Sequence, residues 1–167
     1  MEGKNAFGAM PEISSHNEEL QETGVEMSFE EAKDYFIEKD GEKFAGLHLI
    51  IDCLGSRNLS SLEKVEQCLR SCIEAAGATL LHIHLHHFTP EGGISGVAVL
   101  AESHISIHSW PEHGFAALDV FMCGNTTPLK TIDIIQAAFD PQELRVKELY
   151  RGKGALAWSD GLKKPSI

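Results

Sequence analysis

The chain has few of the basic residues that a nucleic-acid-binding protein needs. It carries 14 Lys and Arg residues against 25 Asp and Glu residues in 167, so its formal net charge at pH 7 is −11. DNA- and RNA-binding proteins neutralise phosphates with Lys and Arg, and this charge has the wrong sign for that task. We therefore expect no nucleic-acid partner. Most of the net charge lies in the first 43 residues, which hold 12 acidic residues and 4 lysines.

The sequence also lacks a long apolar run. No stretch approaches the roughly 18 consecutive apolar residues of a membrane-spanning helix, and no basic start followed by an apolar run marks a secretion signal. We therefore expect a cytoplasmic protein without a membrane partner. The four cysteines, Cys53, Cys68, Cys72 and Cys123, form no Cys-x-x-Cys pair. In a reducing compartment they are expected to be free thiols.

Several common catalytic motifs are absent. Ser103 lies near His104 and His108, but no Gly-x-Ser-x-Gly elbow surrounds it, which argues against a Ser-His hydrolase. The glycines of "EGGIS" match neither a dinucleotide nor a Walker fingerprint. The run "HIHLHH", residues 82–87, raises a metal hypothesis, because alternate histidines on one strand can bind a divalent ion. No acidic ligand lies at matching spacing, so we expect no metal.

After residue 43 the sequence contains alternating strand and helix patterns. The segment "SSLEKVEQCLRSCIEAAG" predicts a helix from a Ser60/Glu63 capping box to Gly77, with Cys68 and Cys72 on its apolar stripe as buried thiols. A second helix is predicted by "TPLKTIDIIQAAF", which opens on Thr-Pro. Strands are predicted by "GLHLIIDCLG", "TLLHIHLHHF", "ISGVAVLAE", "HISIHSW", "FAALDVFMC" and "ELRVKELY". This order predicts an α+β fold, a two-layer α/β sandwich with a mostly antiparallel sheet and helices on one face.

We divide the chain into an acidic N-terminal extension (1–43), a domain (44–152) and a C-terminal tail (153–167). Residues 1–27 show no sustained periodicity, which is typical of a mobile arm. The segment "SFEEAKDYFIEKDG" has a Ser28/Glu31 capping box and ends at Gly41, which predicts a short helix. The sequence assigns no role to the extension, and we expect activity to survive the deletion of residues 1–40.

Four segments together carry a family resemblance: "GLHLIID", "GATLLHIHLHHFTPEGGISGVAVLAESH", "ESHISIHSWPEHGFAALDVFMCG" and "ELYRG". They resemble the prokaryotic S-adenosylmethionine decarboxylases, over roughly residues 44 to 152 and most densely over residues 82–124. The resemblance implies a pyruvoyl-dependent enzyme that makes its own cofactor. The hydroxyl of Ser103 attacks the carbonyl of Glu102, the chain is cut between these residues, and Ser103 becomes the pyruvoyl group that forms a Schiff base with the substrate.

The resemblance also implies roles for five further residues. His108 and Ser95 assist the processing reaction, and Cys123 donates a proton during decarboxylation. Phe88 stacks on the adenine of S-adenosylmethionine, and Glu112 binds its ribose hydroxyls. Since His108 is five residues from Ser103, a regular strand would put the two on opposite faces, and we expect a bend or the hairpin to reorient one of them.

The implied product is the aminopropyl donor for spermidine synthesis, and the implied assembly is a homo-oligomer of processed pairs, based on dimers with sites shared across subunits. Two alternatives stay open. One is a pyruvoyl-dependent arginine or ornithine decarboxylase on the same scaffold, since the chemistry needs only an α-amino acid. The other is an uncut, non-catalytic regulatory subunit.

Overall fold

A six-stranded sheet organises the residues that the computed structural model describes, 35–89 and 92–155. In chain order the strands are β1 (Ile37–Lys39), β2 (Glu42–Phe44), β3 (Gly46–Leu54), β4 (Leu80–His87), β5 (Ile94–Leu100), β6 (Ser103–Trp110), β7 (Phe115–Met122) and β8 (Glu143–Arg151). The helices are α1 (Leu62–Ala76) and α2 (Thr131–Phe139). The large sheet has the order β4-β5-β6-β7-β3-β8, and each of its strand pairs is antiparallel, while β1 and β2 pair with each other.

The two helices cover one face of the large sheet. Their buried stripes, which include Val65, Leu69 and Phe139, join the inward residues of the strands, such as Leu49 and Leu118, in one hydrophobic core. Burial of these side chains is the main stabilising contribution to the fold. The other face, which we call the open face, has no helix on it among the described residues. The predicted two-layer sandwich with helices on one face is therefore confirmed.

Helix α1 ends at the predicted Gly77, but its N-terminal cap lies one residue later than predicted. The hydroxyl of Ser61, not Ser60, caps the helix by accepting a hydrogen bond from the backbone N–H of Lys64 at 3.3 Å. Gly77 ends the helix in the left-handed conformation, with a φ of 72°. The predicted Thr-Pro start of the second helix is a short 3-10 turn, Pro128–Lys130, that leads into α2.

The predicted helix ending at Gly41 is wrong where the structure describes it. Ile37–Lys39 and Glu42–Phe44 are antiparallel strands, joined by a turn in which Asp40 and Gly41 have φ angles of 53° and 77°. Asp-Gly is a strong signal for a two-residue hairpin turn, because both central residues need a positive φ. The capping box at Ser28 and Glu31 lies outside the described residues.

Within the described part of the chain, neither helix has the length and hydropathy needed to cross a bilayer.

Candidate active site

Ser103 and Cys123 meet at one end of the large sheet. Ser103 is the first residue of β6 and is buried, while Cys123 directly follows the neighbouring strand β7. The Ser103 hydroxyl accepts a hydrogen bond from the backbone N–H of Cys123 at 3.3 Å. Together with Glu102 these residues form what we call the Ser103 cluster.

The thiol of Cys123 is held in its protonated form. Burial raises its pKa above the usual range, and the negative charge of Glu102 raises it further. Both effects disfavour the thiolate. A thiol that stays protonated at neutral pH is suited to donate a proton to a carbanion.

Glu102 has a strained backbone. It lies in the two-residue turn between β5 and β6, where Leu100 pairs with Ser103, and its φ is 64°. A left-handed conformation costs a residue with a Cβ about 1–2 kcal/mol. The peptide that joins Glu102 to Ser103 therefore begins at a strained residue in the turn at one end of the sheet.

A second cluster lies toward the opposite end of β6. Ser95 pairs with His108 across β5 and β6, and the Ser95 hydroxyl is 2.8 Å from Nδ1 of the His108 ring. These two residues border a cavity of about 220 Å³. The full lining is Phe88, Gly93, Ser95, His108, Ser109, Trp110 and Glu112. We call this group the His108 cluster.

Aromatic side chains are exposed around the His108 cluster. Phe88 is 52% exposed although it is large and apolar, and its ring meets that of His86 edge-on at 4.5 Å. Trp110 is 40% exposed and stacks on Phe115, with ring centroids 5.3 Å apart. Exposed aromatic faces beside a carboxylate suit a flat ligand with hydroxyl groups. The sequence reasoning missed Trp110, although its position two residues after His108 on the same strand was a usable signal.

The structure does not bring the two clusters together within one chain. β6 pairs without interruption with β5 and β7, so the expected bend between Ser103 and His108 is wrong. Ser103 lies on the helix side of the sheet and His108 on the open face. At about 3.3 Å per residue, the five steps along the strand separate their Cα atoms by roughly 17 Å.

Sequence reasoning also missed a polar network at the centre of the open face. His48 Nε2 lies 3.1 Å from Oδ1 of Asp119, and the Ser106 hydroxyl donates to Oδ2 of the same carboxylate at 3.3 Å. Arg151 lies 3.1 Å from the other ring nitrogen of His48. These four residues come from four strands, so no local motif could have found them.

The side chains behind the metal hypothesis do not converge. His82, His84 and His86 project from β4 as exposed residues. Cys68 and Cys72 are buried in the core, as the apolar stripe of α1 predicted. In residues 35–89 and 92–155, no three His, Cys, Asp or Glu side chains gather as a metal site.

Comparisons with known proteins identify the family. A sequence model described as S-adenosylmethionine decarboxylase matches residues 47–152. An S-adenosylmethionine decarboxylase proenzyme of Thermomicrobium roseum is 42% identical over 111 residues, which are 66% of this chain and 96% of that protein. One of Methanococcus maripaludis is 44% identical over 113 residues, 66% of this chain and 92% of that protein. The crystal structure of the adenosylmethionine decarboxylase from Aquifex aeolicus superposes with a TM-score of 0.56 at 29% identity, covering 74% of this chain and 97% of that one. The chain belongs to the S-adenosylmethionine decarboxylase family.

Proposed function

We propose that this chain is the proenzyme of a pyruvoyl-dependent S-adenosylmethionine decarboxylase that cuts itself between Glu102 and Ser103. The observation that carries the proposal is the contact between Ser103 and Cys123 at the end of the sheet, next to a strained Glu102. A nucleophile and a protonated acid adjoin the same peptide, and both lie inside the range that matches the family.

Processing needs groups of the protein and one molecule of water. The Ser103 hydroxyl attacks the Glu102 carbonyl, the C–N bond breaks, and the Glu102 acyl group is left as an ester on the Ser103 oxygen. β-Elimination then releases Glu102 as a carboxylate, and the dehydroalanine takes up water and loses ammonia. An amide is a poor electrophile, so the attack needs a base for the hydroxyl proton. We assign this task to His108, which the Ser95 hydroxyl orients at 2.8 Å.

The pyruvoyl carbonyl formed in this way supplies an electron sink for the loss of carbon dioxide from an α-amino acid. The chain's own residues fit this chemistry, since the new N-terminus would lie beside Cys123, whose burial keeps its thiol protonated. Cys123 then holds the proton that replaces the lost carboxylate.

A second copy of the chain completes the site. Ser103 and His108 lie toward opposite ends of the same strand. A two-fold axis that lies between two stacked sheets, perpendicular to β6 near its middle, would therefore bring the His108 end of one copy's strand to the Ser103 end of the other copy's strand. The open face carries Ile50, Val99 and Trp110 as exposed apolar side chains, which such stacking would bury. We propose a dimer in which His108 and Ser95 of one copy serve Ser103 of the other.

The substrate is assigned to the cavity of the His108 cluster. Phe88 offers a face for the adenine ring, and Glu112, which is also part of the lining, accepts hydrogen bonds from the ribose hydroxyls. The product is then the aminopropyl donor for spermidine synthesis. All four cysteines are free thiols, which fits a reducing compartment, and we also propose a cytoplasmic location.

The test is the release of carbon dioxide from three carboxyl-labelled substrates: S-adenosylmethionine, arginine and ornithine. We expect turnover of S-adenosylmethionine alone. Preference for arginine or ornithine would overturn the substrate assignment, and an intact chain with no turnover would favour a regulatory subunit. Ser103→Ala is the control, because it removes the nucleophile and abolishes release from every substrate.

A further inference from the structure

A segment ahead of the matched range contacts the loop that carries Cys123. The family match begins at residue 47, whereas the backbone carbonyl of Tyr35 accepts a hydrogen bond from the N–H of Gly124 at 2.8 Å. Gly124 directly follows Cys123. The described end of the extension, residues 35–43, to which the sequence assigned no role, therefore reaches the candidate active site.

The ring of Tyr35 also packs against this loop. Gly124 has a φ of 61°, and a Cβ added there would lie 3.2 Å from Cδ1 of Tyr35. That distance is tighter than ordinary van der Waals contact, so a side chain at position 124 would push the ring away. Glycine thus serves both the turn and the close approach of Tyr35.

The hairpin that follows Tyr35, strands β1 and β2, contacts the C-terminal end of β8 and the residues after it. Lys39 donates a hydrogen bond to the Tyr150 hydroxyl at 2.8 Å, and Lys153 forms an ion pair with Glu42 at 2.7 Å. Phe44 is buried, with its ring 5.1 Å from that of Tyr150. Side-chain and backbone contacts together hold residues 35–44 against the domain.

Among the described residues, two other hydrogen bonds connect the loop, residues 123–127, to parts of the domain distant in sequence, while the Thr126 hydroxyl donates to the Cys123 carbonyl within the loop at 2.9 Å. The Cys123 N–H bonds to Ser103, and the Thr127 N–H bonds to the Ala76 carbonyl at 2.9 Å. Processing removes the first of these hydrogen bonds, because the Ser103 hydroxyl is lost when the pyruvoyl group forms. After cleavage, the contact with Tyr35 gains importance for holding the backbone next to Cys123.

We propose that residues 35–44 form a brace that positions Cys123, with Tyr35 as the positioning residue. The catalytic part of this proposal rests on the proposed function of Cys123 as proton donor. The brace predicts that a chain lacking residues 1–40 is still cut but turns over slowly, in contrast to the expectation from the sequence alone.

The first test measures the accessibility of the Cys123 thiol in the full-length Ser103→Ala chain, where cleavage cannot occur. Residues 35–44 are replaced by a glycine-serine segment of equal length, and alkylation by iodoacetamide is followed by peptide mass analysis. We expect Cys123 to react about fivefold faster, as the loss of one net hydrogen bond predicts. Cys53, Cys68 and Cys72 are buried and report on the rest of the fold. Leu81→Ala, which removes another exposed apolar side chain, should leave the rate unchanged.

The second test separates contact from backbone strain. Gly124→Ala should raise the alkylation rate in the Ser103→Ala chain, and its effect should be smaller when Tyr35→Ala is also present. The positive φ at position 124 costs the same free energy whether residue 35 is Tyr or Ala, so this cost cancels when the two effects of Gly124→Ala are compared. Equal effects in both backgrounds would show that the Tyr35 ring does not act on the loop.

The third test uses the otherwise unmodified protein. Replacement of residues 35–44 should lower kcat about tenfold, leave KM within about twofold and leave cleavage complete, since the brace acts on the proton donor. Unchanged alkylation together with unchanged kcat would overturn the brace. If the native chain is neither cut nor active, the proposed function fails, while faster alkylation of Cys123 would still support the brace as a structural element.

Discussion

Ser103 and His108 share strand β6 but lie on opposite sides of the sheet and toward opposite ends of the strand. Ser103 contacts Cys123 on one side, and His108 contacts Ser95 on the other. A base must reach hydrogen-bond distance of the hydroxyl that it activates. The distance of roughly 17 Å between them along the strand keeps one chain from meeting this requirement. That distance is the argument for the proposed site shared between two copies.

Co-expression of two inactive variants tests the shared site. Ser103→Ala and His108→Ala chains should each stay uncut when expressed alone. In a mixed dimer, one site combines the Ser103 of the His108→Ala chain with the His108 of the other copy, so that chain should be cut. With random pairing, about half of the His108→Ala chains enter mixed dimers and become cleavable. Intact mass distinguishes the two chains if one carries a tag.

Complete absence of cleavage in the mixed sample, with mixed dimers shown by native mass, would contradict a shared site. Cleavage of the Ser103→Ala chain would contradict the assignment of the nucleophile. Val146→Ala, a substitution of an exposed residue outside both clusters, is the positive control. As the partner of the His108→Ala chain, it supplies an intact His108.

Removal of the proton donor should separate processing from turnover. Cys123→Ala keeps the backbone N–H that bonds to Ser103, so we expect the chain to be cut. Decarboxylation should slow by about 10² to 10⁴, the range for the loss of a general acid. Single-turnover measurement of carbon dioxide release checks the rate. Full activity in the cut variant would show that the proton comes from another group.

The charge of Glu102 should control the pH at which Cys123 reacts. Because that charge raises the Cys123 pKa, Glu102→Gln should lower it, and the rise of alkylation with pH should begin at lower pH. Burial is the larger cause and persists, so the pKa should stay above that of an exposed thiol. The measurement uses the uncut Ser103→Ala chain, with Glu148→Gln as a remote control. Coincident profiles would show that Glu102 does not act on the thiol.

Phe88 and Glu112 should contribute different free energies to the use of S-adenosylmethionine. Loss of stacking in Phe88→Leu should cost about 1 kcal/mol in kcat/KM for S-adenosylmethionine. Loss of charge-assisted hydrogen bonds in Glu112→Gln should cost more, roughly 1.5 to 3 kcal/mol. Both variants should still be cut. If Glu112→Gln leaves kcat/KM unchanged, the ribose is bound elsewhere.

Local patterns in the sequence predicted the elements of the fold well. The alternation in "HISIHSW" placed β6, and the apolar stripe ending at Gly77 placed α1, because burial on one face sets each period. The hairpin at Asp40 and Gly41 was missed because the capping box upstream also favoured a helix. The positive φ angles of the Asp-Gly turn and the packing of Phe44 on Tyr150 favour a hairpin over a helix in this segment.

The site was harder to predict than the fold. Spacing alone showed that a regular β6 would separate Ser103 from His108, but a bend or the hairpin was expected to reorient one of them, and the pairing of β6 shows no bend. Contacts between distant segments, such as Asp119 with His48 or Gly124 with Tyr35, depend on strand register and chain course. No local pattern encodes them.

Denaturing mass analysis of the purified full-length protein tests self-cleavage at Ser103. We predict two fragments, residues 1–102 and a fragment from residue 103 whose N-terminus is blocked, because a pyruvoyl group has no free amine. Ser103→Ala should give one full-length chain. A single intact chain in a preparation that fully decarboxylates S-adenosylmethionine would contradict the mechanism.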